Sequence, residues 1–140
     1  AKRVRKSMMI DSDTGERILL TEPRGYRGGN RECTGGCRVA GVSRLHGSVE
    51  EASYCNKLKA LKQCKEILDY EAQIGFPLKD RNGKPCGVHF VDFFVTLNDG
   101  KKEVREYKGL HMVVWKLKRA LFTWNYPDIP YRLVQFRDLT

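Results

Sequence analysis

Residues 88–108 have the sequence VHFVDFFVTLNDGKKEVREYK, and this stretch decides the fold. β-Branched and aromatic residues fill positions 88–97, a composition typical of a buried strand, and residues 102–108 predict a strand that returns beside it. Between them, the Asn-Asp-Gly loop at 98–100 fits a type I turn followed by a left-handed residue, a conformation that glycine adopts easily. The stretch therefore predicts an antiparallel hairpin.

The register of this hairpin determines whether three charged side chains converge. With the three-residue loop, Asp92 lies directly opposite Glu106, at a Cβ separation of about 5 Å. Lys108 comes two residues after Glu106, so it projects from the same face of the strand. A two-residue turn at 99–100 would instead place Asp92 opposite Tyr107, and the group would break up unless a bulge restored it.

Two carboxylates among apolar strand residues are costly, because like charges repel and burial penalises each of them. A hard divalent cation relieves both costs, and Mg²⁺ needs only Asp92, Glu106 and a phosphate oxygen besides its waters. The metal would activate a water and neutralise charge at phosphorus, while Lys108 would orient or deprotonate that water. The competing interpretation is a surface salt-bridge cluster on an edge hairpin.

The order Val91-Asp92, then Glu106-Tyr107-Lys108, resembles the motif of the PD-(D/E)XK nuclease superfamily, which includes restriction endonucleases and several junction resolvases. Val91 replaces the usual proline of that motif. Further stretches between residues 44 and 136 are similar to small phage-encoded proteins of the superfamily. They are a helix glutamate at Glu51, Glu71-Ala72-Gln73 before Phe76-Pro77-Leu78, the glycine Gly109 after the motif, and Leu117-Lys118-Arg119 on a later helix.

The resemblance implies a fold, an activity and a set of site residues. The implied fold is α/β (α+β), a restriction-endonuclease-like core in which helices flank a mixed central β-sheet, over residues 44–140. The implied activity is that of a Mg²⁺- or Mn²⁺-dependent DNA endonuclease, which hydrolyses phosphodiester bonds. The implied catalytic residues are Glu51, Asp92, Glu106 and Lys108, of which Asp92, Glu106 and Glu51 would bind the metal.

Some of these residues also have a structural interpretation. Ser48 and Glu51 fit a capping box at the start of a helix, which apolar residues at helical spacing extend to about residue 68. Glu50 is an alternative to Glu51, and Gln73 is a further candidate to line the site. A lone histidine is more often structural than catalytic, and this applies to His46, His89 and His111.

Outside this region, residues 1–43 are expected to form a basic N-terminal β-hairpin, with its turn at 11–15, and a Gly/Arg-rich arm. A loop is predicted from 23 to 47, and a disordered linker is the alternative for it. A short strand is predicted at 76–78, a helix at 115–122 and a last strand at 131–136. Tyr107, Trp115 and Trp124 are expected to pack in the protein interior.

The chain has 140 residues, which suits one compact domain, and its formal net charge of +9 favours a polyanionic partner. The alternative for the charge alone is a soluble basic protein with no such partner, and it is the resemblance that implies DNA as the partner. Candidate phosphate contacts are Arg24, Arg27 and Arg31 in the arm and Lys116 and Arg119 on the later helix. No long apolar run and no secretory signal are evident. The expectation is a cytoplasmic protein of a bacterial host cell, encoded by the host or by a phage, without a membrane.

Five cysteines, an odd number, argue against a disulfide framework. Cys55 and Cys64 fall on the first predicted helix and are expected in the core. Cys33 and Cys37, with His46 as a third ligand, could contribute to a zinc site, although a structural site needs four ligands. The alternative for this Cys-Thr-Gly-Gly-Cys stretch is a simple glycine turn.

Three functions from different classes follow. The first is the endonuclease, acting as a homodimer because cutting both strands needs two sites. A branched substrate such as a Holliday junction is favoured, since the chain is short and shows no separate recognition domain. The second is a non-catalytic phage nucleic-acid-binding or recombination accessory protein. The third is a small zinc-stabilised regulator.

Overall fold

The computed structural model describes residues 4–23, 37–39, 42–44, 49–107 and 113–139. Within them the chain forms two helices, eight strands and a short 3-10 turn. In chain order these are β1 (Val4–Ile10), β2 (Arg17–Pro23), β3 (Cys37–Val39), β4 (Val42–Arg44), α1 (Val49–Gln63), β5 (Asp69–Lys79), β6 (Pro85–Thr96), β7 (Lys102–Tyr107), α2 (Val113–Asn125), β8 (Tyr131–Val134) and the 3-10 turn (Phe136–Leu139). Neither helix is long and apolar enough to span a bilayer.

Six of the strands form one mixed sheet in the order β2-β1-β5-β6-β7-β8, and β3 pairs with β4 in a separate small sheet. The pairs β1–β5 and β7–β8 are parallel, and the other neighbours in the large sheet are antiparallel. Helices α1 and α2 contribute to two separate hydrophobic clusters against the strands. The predicted class, a mixed central sheet flanked by helices, is confirmed.

The hairpin of β6 and β7 has the predicted turn and the predicted register. Gly100 has a φ of 87°, its N–H donates to Leu97 O at 2.9 Å, and Leu97 N donates to Lys101 O at 2.8 Å. The paired residues run from Thr96 opposite Lys102 to Phe93 opposite Arg105. The ladder ends at this last pair, one step before Asp92 and Glu106, so the register of the hairpin is confirmed while the alignment of the two carboxylates stays a prediction.

The core consists of two clusters, one for each helix. The α1 cluster contains Ala52, Tyr54, Cys55, Leu58, Ile67, Phe93, Val95 and Val134. The α2 cluster contains Ile10, Ile74, Phe76, Leu78, Val91, Phe94, Val104 and Phe122. The sheet separates the two clusters. The cluster to which a strand residue belongs therefore shows which side of the sheet its side chain faces.

On the neighbouring strands β5 and β6, the alternation of side chains between the two sides of the sheet is interrupted at the same level. In a regular strand, residues two apart face the same side. Ala72 packs against the α1 cluster whereas Ile74 belongs to the α2 cluster, and on β6 Phe93 and Val91 are divided in the same way. The β5–β6 pairing omits the two residues in between, Gln73 and Asp92, and Gln73 has a φ of 54°. We call this irregularity the side switch.

The N-terminal hairpin is part of the main sheet. β1 and β2 pair in antiparallel fashion around the predicted turn, and β1 pairs in parallel with β5, with Met8 opposite Ile74. Arg17 of β2 also donates both Nε and a terminal nitrogen to the Glu71 carboxylate, and this hydrogen bonding raises the pKa of Arg17. The proposed domain boundary between residues 43 and 44 stays a prediction.

Several local expectations were wrong. Helix α1 ends at Gln63 and not near residue 68, so Cys64 is exposed, although Cys55 is fully buried as expected. The loop expected from 23 to 47 contains β3 and β4, and β5 is a long strand from Asp69 to Lys79 and not a short one at 76–78. Trp115 is buried as expected, whereas Trp124 is 57% exposed, because it lies on the face of α2 away from the sheet.

The early end of α1 has a backbone cause. Lys65 has a φ of 62°, its N–H donates to Lys62 O at 3.1 Å, and Glu66 N donates to Leu61 O at 2.9 Å. This pair of bonds is the Schellman arrangement, which closes a helix through a left-handed residue that is usually glycine. The apolar spacing through Cys64 suggested a longer helix, but it carries no signal for this reversal.

We expect Lys65→Gly to raise the free energy of unfolding by about 0.5–1 kcal/mol, because glycine avoids the Cβ penalty in the left-handed region. Urea unfolding followed by circular dichroism measures the change. The matched control is Ala60→Gly, at an exposed right-handed position of the same helix, which should lower the free energy by about 1 kcal/mol. The same sign at both positions would contradict the prediction.

Candidate functional site

Asp92 is a buried carboxylate of β6 at the side switch. Its Oδ1 accepts a hydrogen bond from Gln73 Nε2 at 3.2 Å, and its Oδ2 accepts one from the backbone N–H of Tyr107 at 3.0 Å. The regular β6–β7 pairing stops at Phe93 opposite Arg105, so the Asp92 side chain takes over the contact with β7. Asp92 is thus held by both neighbouring strands.

Glu106 is the second buried carboxylate, with only 2% of the residue exposed. The Tyr131 hydroxyl donates a hydrogen bond to its Oε2, and His89 Nε2 lies 3.4 Å from the same oxygen. His89 and Tyr131 belong to the aromatic packing around Phe122 of α2. The Glu106 side chain therefore lies on the α2 side of the sheet.

The competing interpretation of a surface salt-bridge cluster on an edge hairpin is wrong for these two carboxylates. Both Asp92 and Glu106 are buried. β7 is not an edge strand, since β8 pairs with it in parallel and places Leu133 beside Glu106. What remains is a pair of buried acidic groups on adjacent central strands, each held by named hydrogen-bond donors.

Glu51 lies in the first turn of α1 and is half-buried, as is Glu50 beside it. On a helix Glu51 falls in line with Cys55 and Leu58, the fully buried residues that pack against the sheet. This is the α1 side, opposite to the side on which Glu106 is held. Among the described residues, no three His, Cys, Asp or Glu side chains are grouped closely enough to hold a metal. The role of Glu51 therefore stays a prediction.

Several predicted site residues lie outside the described residues. They are Lys108, the arm arginines Arg24, Arg27 and Arg31, the zinc candidate Cys33, and His46 and His111. Of Cys37 only the strand that contains it is described. The proposed roles of all these residues, including zinc binding, stay predictions.

The two predicted cations on α2 differ in their surroundings. Lys116 is exposed. Arg119 is half-buried, and its guanidinium carbon lies 5.8 Å from the centre of the Trp115 ring and 5.3 Å from that of Tyr131. Arg119 thus packs over the ring that contacts Glu106, a role that the basic character of the helix did not indicate.

Tyr131 is the residue that sequence reasoning missed. It begins β8, and its hydroxyl contacts both Glu106 and His89, which was expected to be a structural histidine. The only available signal was an aromatic residue at the start of the last strand. Nothing in the local sequence indicates that β8 would pair in parallel with β7, because α2 lies between them in the chain.

The α1 side of the sheet has a polar cluster of its own. The buried Glu103 accepts from Arg105 Nε at 3.1 Å and from Arg132 Nε at 2.8 Å. Arg105 also donates to the Tyr54 hydroxyl at 3.1 Å, and burial raises the pKa of that phenol, which keeps it protonated near neutral pH. An open cleft of about 550 Å³ adjoins these groups. Their charges are largely paired, so the cluster is best explained as support for the sheet.

The left-handed backbone at Gln73 allows the stabilities of two substitutions at this position to be ranked. Gln73→Ala and Gln73→Gly both remove the amide that contacts Asp92, but only alanine keeps a Cβ at a φ of 54°. We therefore expect the glycine variant to be more stable than the alanine variant by about 1 kcal/mol. At the neighbouring Ala72 the order should be reversed, since glycine there costs about 0.5–1 kcal/mol. Thermal unfolding of Gln73→Gly, Gln73→Ala and Ala72→Gly checks both orders.

Comparisons with known proteins bear on the family of the chain. A search of curated proteins and a search of solved structures each gave no match. The family model described as "Protein of unknown function (DUF1064)" matches residues 39–137. This range includes α1, the side switch, both buried carboxylates and Tyr131. Because the match covers well over half of the sequence, the chain belongs to the DUF1064 family.

Proposed function

We propose that this protein is a Mg²⁺- or Mn²⁺-dependent DNA endonuclease of the PD-(D/E)XK type. The observation that supports this most is that Asp92 and Glu106 are both buried carboxylates on two adjacent central strands. Their order along the chain, with Lys108 next, is that of the motif they resemble. Buried acidic pairs of this kind are costly, and they are commonly found where a cation offsets their charge.

The donor set fits a hard cation. The side chains of Asp92 and Glu106 offer carboxylate oxygens, which Mg²⁺ and Mn²⁺ prefer, and no sulfur ligand lies among the donors described at this place. Mg²⁺ usually takes one or two carboxylates and keeps several waters, so two protein groups are sufficient. Glu51 is proposed as a further ligand, directly or through a water, on the resemblance alone, since among the described residues it does not group with Asp92 and Glu106.

Each residue has a distinct part in the proposed reaction. The bound metal would lower the pKa of a water and offset the charge that develops at phosphorus. Gln73 and the backbone N–H of Tyr107 hold Asp92, and Tyr131 holds Glu106. Lys108 is proposed to orient the attacking water or take its proton. The water oxygen bonds to phosphorus, one P–O ester bond breaks, and the leaving oxygen takes up a proton.

DNA is proposed as the substrate on the basis of charge and motif together. The net charge of +9 attracts a phosphate backbone, and Lys116 is among the exposed cations. The arm residues Arg24, Arg27 and Arg31 and the α2 residue Arg119 are proposed as further contacts. A homodimer would supply the second active site needed to cut both strands. We propose branched DNA, such as a Holliday junction, as the preferred substrate, and the cytoplasm of a bacterial host as the location.

The test is a cleavage assay with the purified chain. Supercoiled, linear and four-way-junction DNA are each incubated with Mg²⁺, with Mn²⁺ and with EDTA, and the products are separated on denaturing gels. We expect cleavage in both metals and none in EDTA, with the junction cut fastest. Absence of cleavage of all three DNAs in both metals would contradict the endonuclease proposal.

Three further measurements on the same purified protein test the alternative functions and the oligomeric state. A protein that binds DNA in a gel-shift assay but cuts none of the substrates would be the nucleic-acid-binding accessory protein, which the net charge alone also supports. Stoichiometric zinc in the purified protein would support the zinc-stabilised regulator. Light scattering of the protein with and without junction DNA measures whether it is a dimer.

A further inference from the structure

The side chains around Glu106 form a short chain of hydrogen bonds inside the protein. The Tyr131 hydroxyl donates to Glu106 Oε2, and the same hydroxyl lies 2.9 Å from His89 Nε2. His89 and Glu106 are nearly inaccessible to solvent, at 4% and 2% exposure. A group at this depth has no ready access to water, so the loss of its hydrogen-bond partner would leave it unsatisfied.

The chain has a defined direction. A phenol has one proton, and Tyr131 uses it toward the Glu106 carboxylate, which is the stronger acceptor. The Tyr131 oxygen must then accept from His89, so His89 carries its proton on Nε2. The order of donation is therefore His89 to Tyr131 to Glu106. Glu106 is held by an uncharged hydroxyl that is itself held in place.

The Tyr131 ring is fixed by packing as well. It stacks on His89 with an interplanar angle of 17°, meets the Phe122 ring edge to face at 5.3 Å, and lies under the Arg119 guanidinium. Its backbone is paired with Val104 of β7, the strand that contains Glu106. The hydroxyl therefore has little freedom to move away from the carboxylate.

We propose that Tyr131 is a positioning residue for the metal site, and that its hydroxyl sets the orientation of Glu106 on which metal affinity depends. This rests on the proposed function, because Glu106 must be a metal ligand for it to hold. Removal of a residue that hydrogen-bonds to a metal ligand commonly lowers metal affinity or activity by about 10–100-fold. His89 acts one step further out, by holding the Tyr131 hydroxyl.

The experiment compares Tyr131→Phe with a matched control, Tyr126→Phe. Tyr126 packs in the same aromatic group against Phe122, but its hydroxyl donates to Pro77 O at 2.6 Å and not to a carboxylate. Mn²⁺ binding to the protein without DNA is measured by isothermal titration calorimetry, and thermal unfolding is followed for each variant. We expect Tyr131→Phe to raise the Mn²⁺ dissociation constant by about tenfold or more. Tyr126→Phe should leave this constant within about twofold of the wild-type value.

The outcomes separate the inference from the proposed function. A wild-type protein that neither binds Mn²⁺ nor cuts DNA overturns the proposed function. If wild type does both and Tyr131→Phe binds Mn²⁺ as tightly, only the positioning role of Tyr131 is overturned. An equal loss in both tyrosine variants also overturns it, because the effect would then be one of packing. Should Tyr131→Phe fail to fold, His89→Leu decides, with weaker Mn²⁺ binding supporting the role and unchanged binding overturning it.

Discussion

Replacing Asp92 by asparagine is expected to reduce the rate of metal-dependent DNA cleavage by about a thousandfold, equivalent to about 4 kcal/mol of transition-state stabilisation. The reason is the loss of one of two anionic oxygen ligands at the proposed metal. Asparagine has nearly the same shape and keeps one oxygen that can accept from the Tyr107 N–H, now 3.0 Å from Asp92 Oδ2. The β6–β7 contact should therefore survive, and the variant should stay folded.

The measurement is single-turnover cleavage of junction DNA in saturating Mg²⁺, together with a thermal unfolding curve for each protein. Glu106→Gln should show a loss of similar size. The matched control is Asp99→Asn at the exposed tip of the same hairpin, where the side chain accepts from the Lys101 backbone N–H at 2.9 Å. A folded Asp92→Asn protein that cuts at the wild-type rate would rule out Asp92 as a metal ligand.

Truncation of Phe76 to alanine is expected to lower the free energy of unfolding by about 3–5 kcal/mol. The Phe76 ring is 1% exposed and meets three other rings edge to face, at centroid distances of 5.1 Å to Phe94, 5.0 Å to Phe122 and 5.2 Å to Tyr126. Removal leaves a cavity between β5 and α2 that these large rings cannot readily fill.

Urea unfolding of wild type and Phe76→Ala gives the difference. Phe90→Ala is the matched control, because Phe90 is only half-buried and packs against Gly75 on the neighbouring strand. Its loss should be less than half as large. A loss below about 1 kcal/mol for Phe76→Ala would mean that the α2 cluster is packed far less tightly than these distances indicate.

The register of the β6–β7 hairpin could be predicted because the information is local. The turn residues at 98–100 select one loop type, and the loop type sets the register of both strands. The sequence also indicated that Tyr107 packs away from the carboxylates, and it lies against the α1 cluster. Short-range turn chemistry was sufficient to predict that the two acidic residues lie on adjacent, antiparallel strands.

The side switch could not be predicted in the same way. Alternation of apolar residues assumes that a strand keeps its two faces along its length, and Gln73 is not a residue type that signals a left-handed backbone. β5 also looked short, because the residues before Phe76 mix polar and apolar types. The tertiary contacts of both strands with two different helices determine this feature.

The sequence also did not predict which strands pair across long distances in the chain. β8 reaches β7, and β1 reaches β5, through parallel pairings that join segments far apart in the chain. Sequence patterns give the existence of such strands but not their neighbours, since a parallel connection leaves no turn signature. The contact between Tyr131 and Glu106 depends on this kind of pairing, so it became visible only in the folded protein.

The order of the strands places both acidic residues in a single meander. β5, β6 and β7 follow one another directly, and Gln73, Asp92 and Glu106 all lie on them. The outer strands are added at either flank by separate segments. The flanks differ in how far they reach toward these residues, because β8 brings the Tyr131 hydroxyl to Glu106 and β2 brings the Arg17 guanidinium to Glu71 on β5. Insertions in the outermost strand β2 should therefore disturb Asp92 and Glu106 less than insertions in β8.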